Sequence, residues 1–399
     1  MTRTTTLRTA LTAVALAAIA SHARADVITD WNTKAGEIVV EAKFGTPPAN
    51  RTMAIVQTAV LEAVNAAAKR QPGRAEAVDA AVASANRTTM LKLMPAQEAS
   101  IHAAANAALA KIADGPAKSA GIAAGDEAAA AVLAARADDG AATPERYKPH
   151  TTAGAYVPTV GVAAPQWPQR KTWVLKSAAQ VRPAAPPALT SATWARDYNE
   201  VKALGGKAST RRTPEQTEVA RFWEYSLPPI YHGVLRSVAL QPGRDVARNA
   251  RLFAAASQAM DDALIAVFDA KYAYNFWRPI TAVRNAEIDG NDATEAEATW
   301  APLVDNPMHP EYASGHSILA GAMGAVLKAE FDRTMPELST SSPSAKGATR
   351  RWHSVDDFVQ EVSDARIWGG LHYRFSTDVG VTMGRQIGEL AAAKYLPQP

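Results

Sequence analysis

The 399-residue chain contains no cysteine. Disulfides, thiolate nucleophiles, zinc–thiolate sites and iron–sulfur clusters are therefore excluded. Its eight histidines show no His-Glu-x-x-His motif or other paired metal-ligand spacing, which removes the common zinc-hydrolase readings. Beyond residue 25 the sequence lacks an apolar run long enough to span a bilayer, which takes about 20 residues. A strong charge of either sign is missing too. The formal net charge is +3, and Arg3, Arg8 and Arg24 all lie in the N-terminal segment. The rest of the chain is near neutral, which gives no electrostatic argument for a nucleic-acid partner. No stretch alternates apolar and polar residues for long enough to argue a sheet.

What the chain does have starts at its N-terminus. Arg3 and Arg8 precede an apolar run from Ala10 to Ala20, followed by Ala23-Arg24-Ala25. A charged segment, an apolar segment and a small-x-small site make a secretory signal. The expectation is cleavage after Ala25 and a mature protein in the periplasm or medium. From Asp26 onward the pattern reads as helix after helix. Met53, Val56, Val60 and Val64 fall at three- and four-residue steps after Asn50, the period of an amphipathic helix. A second helical run over about 99–113 stops at Gly115-Pro116, and a third stops before Gly140. Eight prolines between Gly140 and Leu189 then interrupt any period. Trp167 and Trp173 within it predict an ordered connection rather than a free linker. Thr213-Pro214-Glu215-Gln216 predicts a capped helix start, and a longer helix is expected from about Arg244 through Lys271. The fold class is all-α, a helical bundle. Residues 26–210 form an N-terminal helical half with the Pro-rich connection, and 211–399 form a helical core that carries the chemistry.

Three short segments of that core stand out. Lys271 and Arg278 are seven residues apart, two helical turns, with Pro279 ending the helix near the second cation. Ser314 and Gly315 open a helical run, where free amides and the helix dipole favour an anion, and His316 follows as a proton carrier. Arg366 offers a planar fork for an oxyanion, and His372 an imidazole nitrogen able to bond phosphorus or vanadium. Each is common alone. Lys-x6-Arg-Pro, Ser-Gly-His and Arg-x5-His, in that order in a helical background, are not.

Together these motifs resemble the signature of the type 2 phosphatidic acid phosphatase and vanadium haloperoxidase superfamily. AKYAYNFWRPITAVR, HPEYASGHS and GGLHYRFS are similar to its bacterial vanadium-dependent haloperoxidases, as are PPANRTMAIVQTAVLEAVNA and the stretch near RTPEQTEVARFW. The resemblance implies a helical-bundle enzyme that oxidises halide with hydrogen peroxide at a His-bound vanadate. The alternative in the same pocket is an exported acid phosphatase, hydrolysing a phosphomonoester through a phosphohistidine. In either, Lys271, Arg278 and Arg366 would neutralise the oxyanion, and Ser314 and the Gly315 amide would hydrogen-bond to it. His372 would bond it, as the metal ligand or the nucleophile, and His316 would be the general acid–base. Phe268 and His309, beside these motifs, are candidates for tuning the halide. Two positions depart from the usual pattern. Ala313 stands where proline is usual, and Ser376 stands where an aspartate commonly follows the ligand histidine, which leaves open what orients His372.

Overall fold

The computed structural model describes residues 26–158, 161–331 and 335–396. The expected signal segment, residues 1–25, lies outside them. The first five helices are α1 (Val27–Glu41), α2 (Thr46–Arg70), α3 (Ala75–Leu93), α4 (Glu98–Leu109) and α5 (Pro116–Ala135). After the Pro-rich connection come α6 (Ala192–Gly205), α7 (Pro214–Phe222), α8 (Pro228–Ala239), α9 (Val246–Tyr274), α10 (Pro279–Arg284) and α11 (Gly315–Glu330). A hairpin of β1 (Leu338–Ser342) and β2 (Ala348–Trp352) precedes α12 (Val355–Trp368) and α13 (Arg374–Tyr395).

Several boundaries move from the sequence reading for local reasons. α2 starts at Thr46, ahead of Asn50, because the prolines after Thr46 fit a first helical turn that needs no amide donors. α4 stops at Leu109, well before Gly115, and α5 stops at Ala135, ahead of Gly140. Thr213 and Gln216 make the expected reciprocal capping box. The hairpin is a correction to the absence of any sheet. Its strands pair antiparallel from Leu338↔Trp352 to Ser342↔Ala348, and their five residues are too short and too rich in Ser, Thr and Arg to show alternation. Hydroxyls hold the hairpin in place: Thr340 donates to the Ile230 carbonyl at 2.8 Å and Ser342 to that of Phe222 at 2.6 Å.

α9 is the axis of the fold, with a continuous run from Leu252 to Lys271 that is buried on all sides. A helix buried all round sits inside a bundle rather than on its surface, and α2, α11 and α13 pack around it. Small residues let two of these approach closely. A Cβ on Gly384 of α13 would stand 2.2 Å from the Ile318 carbonyl oxygen of α11, and one on Gly388 would stand 2.2 Å from that of Ala322. One buried apolar cluster runs from Ile28 to Leu396.

The Pro-rich connection is fastened to α9 by buried charge. Arg170 lies between Asp139, at 2.9 Å, and Asp261, at 2.6 Å, and its guanidinium stands 4.6 Å from the centre of the Trp167 ring. Trp173 donates its indole N–H to Asp261 at 2.8 Å. The amides of Trp173, Val174 and Leu175 all point at the Asp262 carboxylate, at 2.8, 2.8 and 2.9 Å. A segment without regular structure thus has its backbone donors satisfied by side chains of the central helix.

Candidate active site

The chemistry-bearing residues come from five separate places along the C-terminal half. α9 does not continue to Arg278. Asn275 takes the left-handed conformation (φ 49°) and caps α9 one turn after Lys271, and Arg278 is the extended N-cap of α10. The two cations therefore meet by a reversal of the chain, not along one helix face.

Lys271 is completely buried. Its ammonium donates to the carbonyls of Pro310, Glu311 and Ala313 at 2.9, 2.8 and 2.6 Å. Burial and then Arg278 push its pKa well down, while Glu311 opposes the shift. Three acceptors match the three N–H bonds of an ammonium, whereas a neutral amine has two, so the 310–313 loop is built around the charged form. That loop contains a cis peptide between Tyr312 and Ala313. Arg278 likewise spends its donors on carbonyls, those of His309 at 3.0 Å and Leu371 at 2.9 Å. Burial brings it down to about 10, still charged at neutral pH. Both cations act on the site mainly through charge.

Ser314 is the N-cap of α11, and Gly380 of α13 packs onto it so closely that a Cβ there would lie 2.9 Å from the Ser314 carbonyl. Ser363 donates to Ser317 at 3.2 Å, and Ser317 to Ser314 at 3.0 Å. Ser314 Oγ is the acceptor at the end of this chain, which leaves its own proton to donate outward. A Cβ on Gly315 would meet nothing within 4 Å, so space opens beside the free amides of α11. His316, next in sequence, has Nε2 buried with no partner. Burial, Arg366 and Lys271 hold its pKa well below 6.5, against the carbonyls of Trp223 and Tyr225. It is neutral while no anion is present.

Arg366, in the last turn of α12, is buried and donates Nη1 to the Trp223 carbonyl at 2.6 Å, while its Nε finds no partner. Burial lowers it to about 10. α12 then turns through Gly370, where φ is 79° and a Cβ would meet the Gly205 carbonyl at 2.4 Å. A side chain is excluded there by both conformation and space. The turn delivers His372, whose Nε2 is 3.4 Å from Arg278 Nη1. Burial, Arg278, Lys271 and Arg366 all push its pKa well down.

The residue missed from the sequence is Glu311. Its Oε1 is 2.7 Å from His372 Nδ1 and accepts from the Tyr373 amide at 3.2 Å. Burial raises its pKa to about 7 against the pull of Lys271 and Arg278. Ser376 also lies near it and favours the carboxylate, though Ser376 Oγ and Glu311 Oε2 have no partner in hydrogen-bond geometry. Glu311 sits in the HPEYASGHS segment, but 61 residues of separation hid the contact. Phe268 and His309 pack on each other with ring centres 5.2 Å apart. His309 Nδ1 is 2.9 Å from Arg278 Nη2, which is only ever a donor. The same Nδ1 lies 3.1 Å from the Pro310 carbonyl oxygen, so the His309 ring is wedged between the site's cation and the 310–313 loop.

Against known proteins, residues 251–397 match the VCPO second helical-bundle domain. They hold every residue of this constellation. The C-terminal bundle is thus similar to the second helical bundle of vanadium chloroperoxidase. Vanadium chloroperoxidase of Curvularia inaequalis is 28% identical to this chain, over 33% of it and 26% of that protein. The match thus spans about a quarter of that relative's length. Across nearly the whole chain the fold is that of the vanadium haloperoxidases. A bacterial vanadium-dependent iodoperoxidase superposes with TM-score 0.78 at 24% identity, over 93% of this chain and 96% of its own. A bacterial vanadium-dependent chloroperoxidase in its apo form superposes at 0.70 and 17% identity, over 86% and 92%.

Proposed function

We propose that this protein is a vanadium-dependent haloperoxidase, which oxidises halide with hydrogen peroxide. The observation that carries the reading is the meeting of Lys271, Arg278, Arg366, His316 and His372 in one buried, positively charged site with donors left over. The fit to a tetrahedral oxyanion rests on the unpartnered Arg366 Nε and His316 Nε2 and on the free space at Gly315. Buried polar atoms without partners are costly unless a ligand satisfies them. Vanadate, when bound, supplies the oxidising chemistry for oxygen transfer from peroxide to halide.

The chain's own residues supply the rest. His372 would offer the bare Nε2 lone pair as the covalent attachment, because its Nδ1–H is donated to Glu311. Arg366 Nε, the Ser314 hydroxyl and the Gly315 amide would donate to the oxyanion. Lys271 and Arg278 add positive charge across short, dry distances, where it is screened least. His316, neutral in the empty site, would hold and move a proton at Nε2 beside the oxyanion. Phe268 and His309 form one wall beside Arg278, where halide selectivity would be set. A histidine with an orienting carboxylate is also a nucleophile, so phosphomonoester hydrolysis through a phosphohistidine is the second reading. Export to the periplasm or medium is part of the proposal, supported by the pattern of residues 3–25. The test is an assay of oxyanion-stripped protein with and without orthovanadate. Vanadate-dependent, peroxide-dependent halide oxidation is expected. Phosphomonoester turnover inhibited by vanadate, with no halide oxidation, would replace the first reading by the second.

A further inference from the structure

We propose that Glu311 is the positioning residue of the site, which holds His372 as the Nδ1–H tautomer and so keeps Nε2 bare for the oxyanion. The inference rests on His372 being the residue that bonds the oxyanion. Two contacts on opposite sides of the ring require the same tautomer. Glu311 Oε1, 2.7 Å from Nδ1, also accepts the Tyr373 amide, so it is an acceptor and the proton between it and the ring sits on Nδ1. Arg278 Nη1, 3.4 Å from Nε2, can only donate, so Nε2 carries the lone pair.

The carboxylate is itself locked. The Glu311 amide donates to the Phe276 carbonyl at 2.9 Å, and its own carbonyl accepts from Lys271 at 2.8 Å. Lys271 therefore holds the loop that holds the glutamate that holds the histidine. A carboxylate fixed behind a ligating imidazole orients the ring and raises its basicity, and its loss typically costs about 10–100-fold in ligand affinity. Among the described residues no carboxylate pairs with His316, whose ring is approached by carbonyls. The one orienting carboxylate is thus spent on the bonding histidine rather than on the proton carrier. Position 376 lies against the same carboxylate, and its Ser376 Oγ is buried and unpartnered. A carboxylate placed there by Ser376→Asp would face His372 from α13.

The experiment compares wild type, Glu311→Gln and the double variant Glu311→Gln/Ser376→Asp. Nitrogen-15 NMR of the oxyanion-free protein reads the His372 tautomer, and calorimetric titration with orthovanadate and with inorganic phosphate reads affinity. Wild type should show a protonated Nδ1 and a bare Nε2. Glu311→Gln should lose that single tautomer and weaken both anions by about 10–100-fold, and the double variant should restore both readouts. A Glu311→Gln protein that keeps the tautomer would overturn the proposal, whether or not its affinity falls. If that variant does not fold, the double variant decides alone: the Nδ1–H tautomer supports the role, and any other refutes it. Wild-type protein that binds orthovanadate but oxidises no halide would sink the haloperoxidase reading and leave the role of Glu311 standing.

Discussion

Substituting Gly384 by alanine tests whether close backbone packing sets the active site. The added methyl would stand 2.2 Å from the Ile318 carbonyl oxygen, 2.7 Å from the Ala322 amide nitrogen and 3.0 Å from the Ile318 carbonyl carbon. All three atoms are backbone of α11, which has no side-chain rotamer to yield. The helices must separate by about 1 Å for ordinary contact, and overpacking of this kind costs about 1–3 kcal/mol. Alanine regains about 1 kcal/mol over glycine in a helix interior, so a net loss of up to about 2 kcal/mol is expected. The larger effect should be on binding. α11 carries Ser314, Gly315 and His316 at its N-terminus, so a displacement of about 1 Å misaligns these groups with Arg366 and His372 and weakens vanadate binding. Thermal unfolding and calorimetric titration of orthovanadate measure the two quantities. Gly45→Ala, where a Cβ would meet nothing within 4 Å, is the control. A Gly384→Ala protein with wild-type melting temperature and wild-type vanadate affinity would refute the packing argument.

Three further outcomes are expected. His372→Ala should abolish tight vanadate binding and every activity, whereas His316→Ala should keep the oxyanion and lose about 10²–10⁴-fold in turnover; calorimetry paired with rate measurements separates them. Arg366→Ala should weaken vanadate and phosphate together, as read by the same titration, because one buried cation faces both. His232, buried beside Arg236 and bonded to Asn32 at 2.7 Å, has its pKa pushed down to about 3 by burial. The unfolded chain takes up its proton near pH 6.5 and the folded one does not, so this histidine's share of stability is present above that pH. It is lost as pH falls toward 3, by up to about 1.4 kcal/mol per unit. Denaturant unfolding at pH 7, 6 and 5 should therefore show a shallower decline for His232→Gln.

The cations and histidines were legible because a helical background makes their order and spacing improbable by chance, and Ser314-Gly315 reads as a helix start from local chemistry alone. What stayed hidden was pairing across distance. Glu311 and His372 are 61 residues apart, and neither carries a mark that it serves the other. Ser376, where an acid was expected, left the question of orientation open, and a loop residue answers it. Lys271 reads from the sequence as a charge that neutralises the oxyanion; that its three donors also hold the 310–313 loop is something no spacing rule reveals. The left-handed Asn275 likewise broke the apparent two-turn register of Lys271 and Arg278. The hairpin escaped because its strands are held by hydroxyls to α7 and α8 rather than by an alternating apolar face.

The central claim is that one buried site, built on His372, takes a single tetrahedral oxyanion and that halide oxidation depends on it. Orthovanadate titrated into oxyanion-stripped protein, followed by peroxide-dependent bromide or iodide oxidation at rising inorganic phosphate, tests it most directly. The expected result is activity that saturates at one vanadate per chain and is lost competitively as phosphate rises. Halide oxidation that is independent of vanadate, or vanadate binding that phosphate does not displace, would contradict the account.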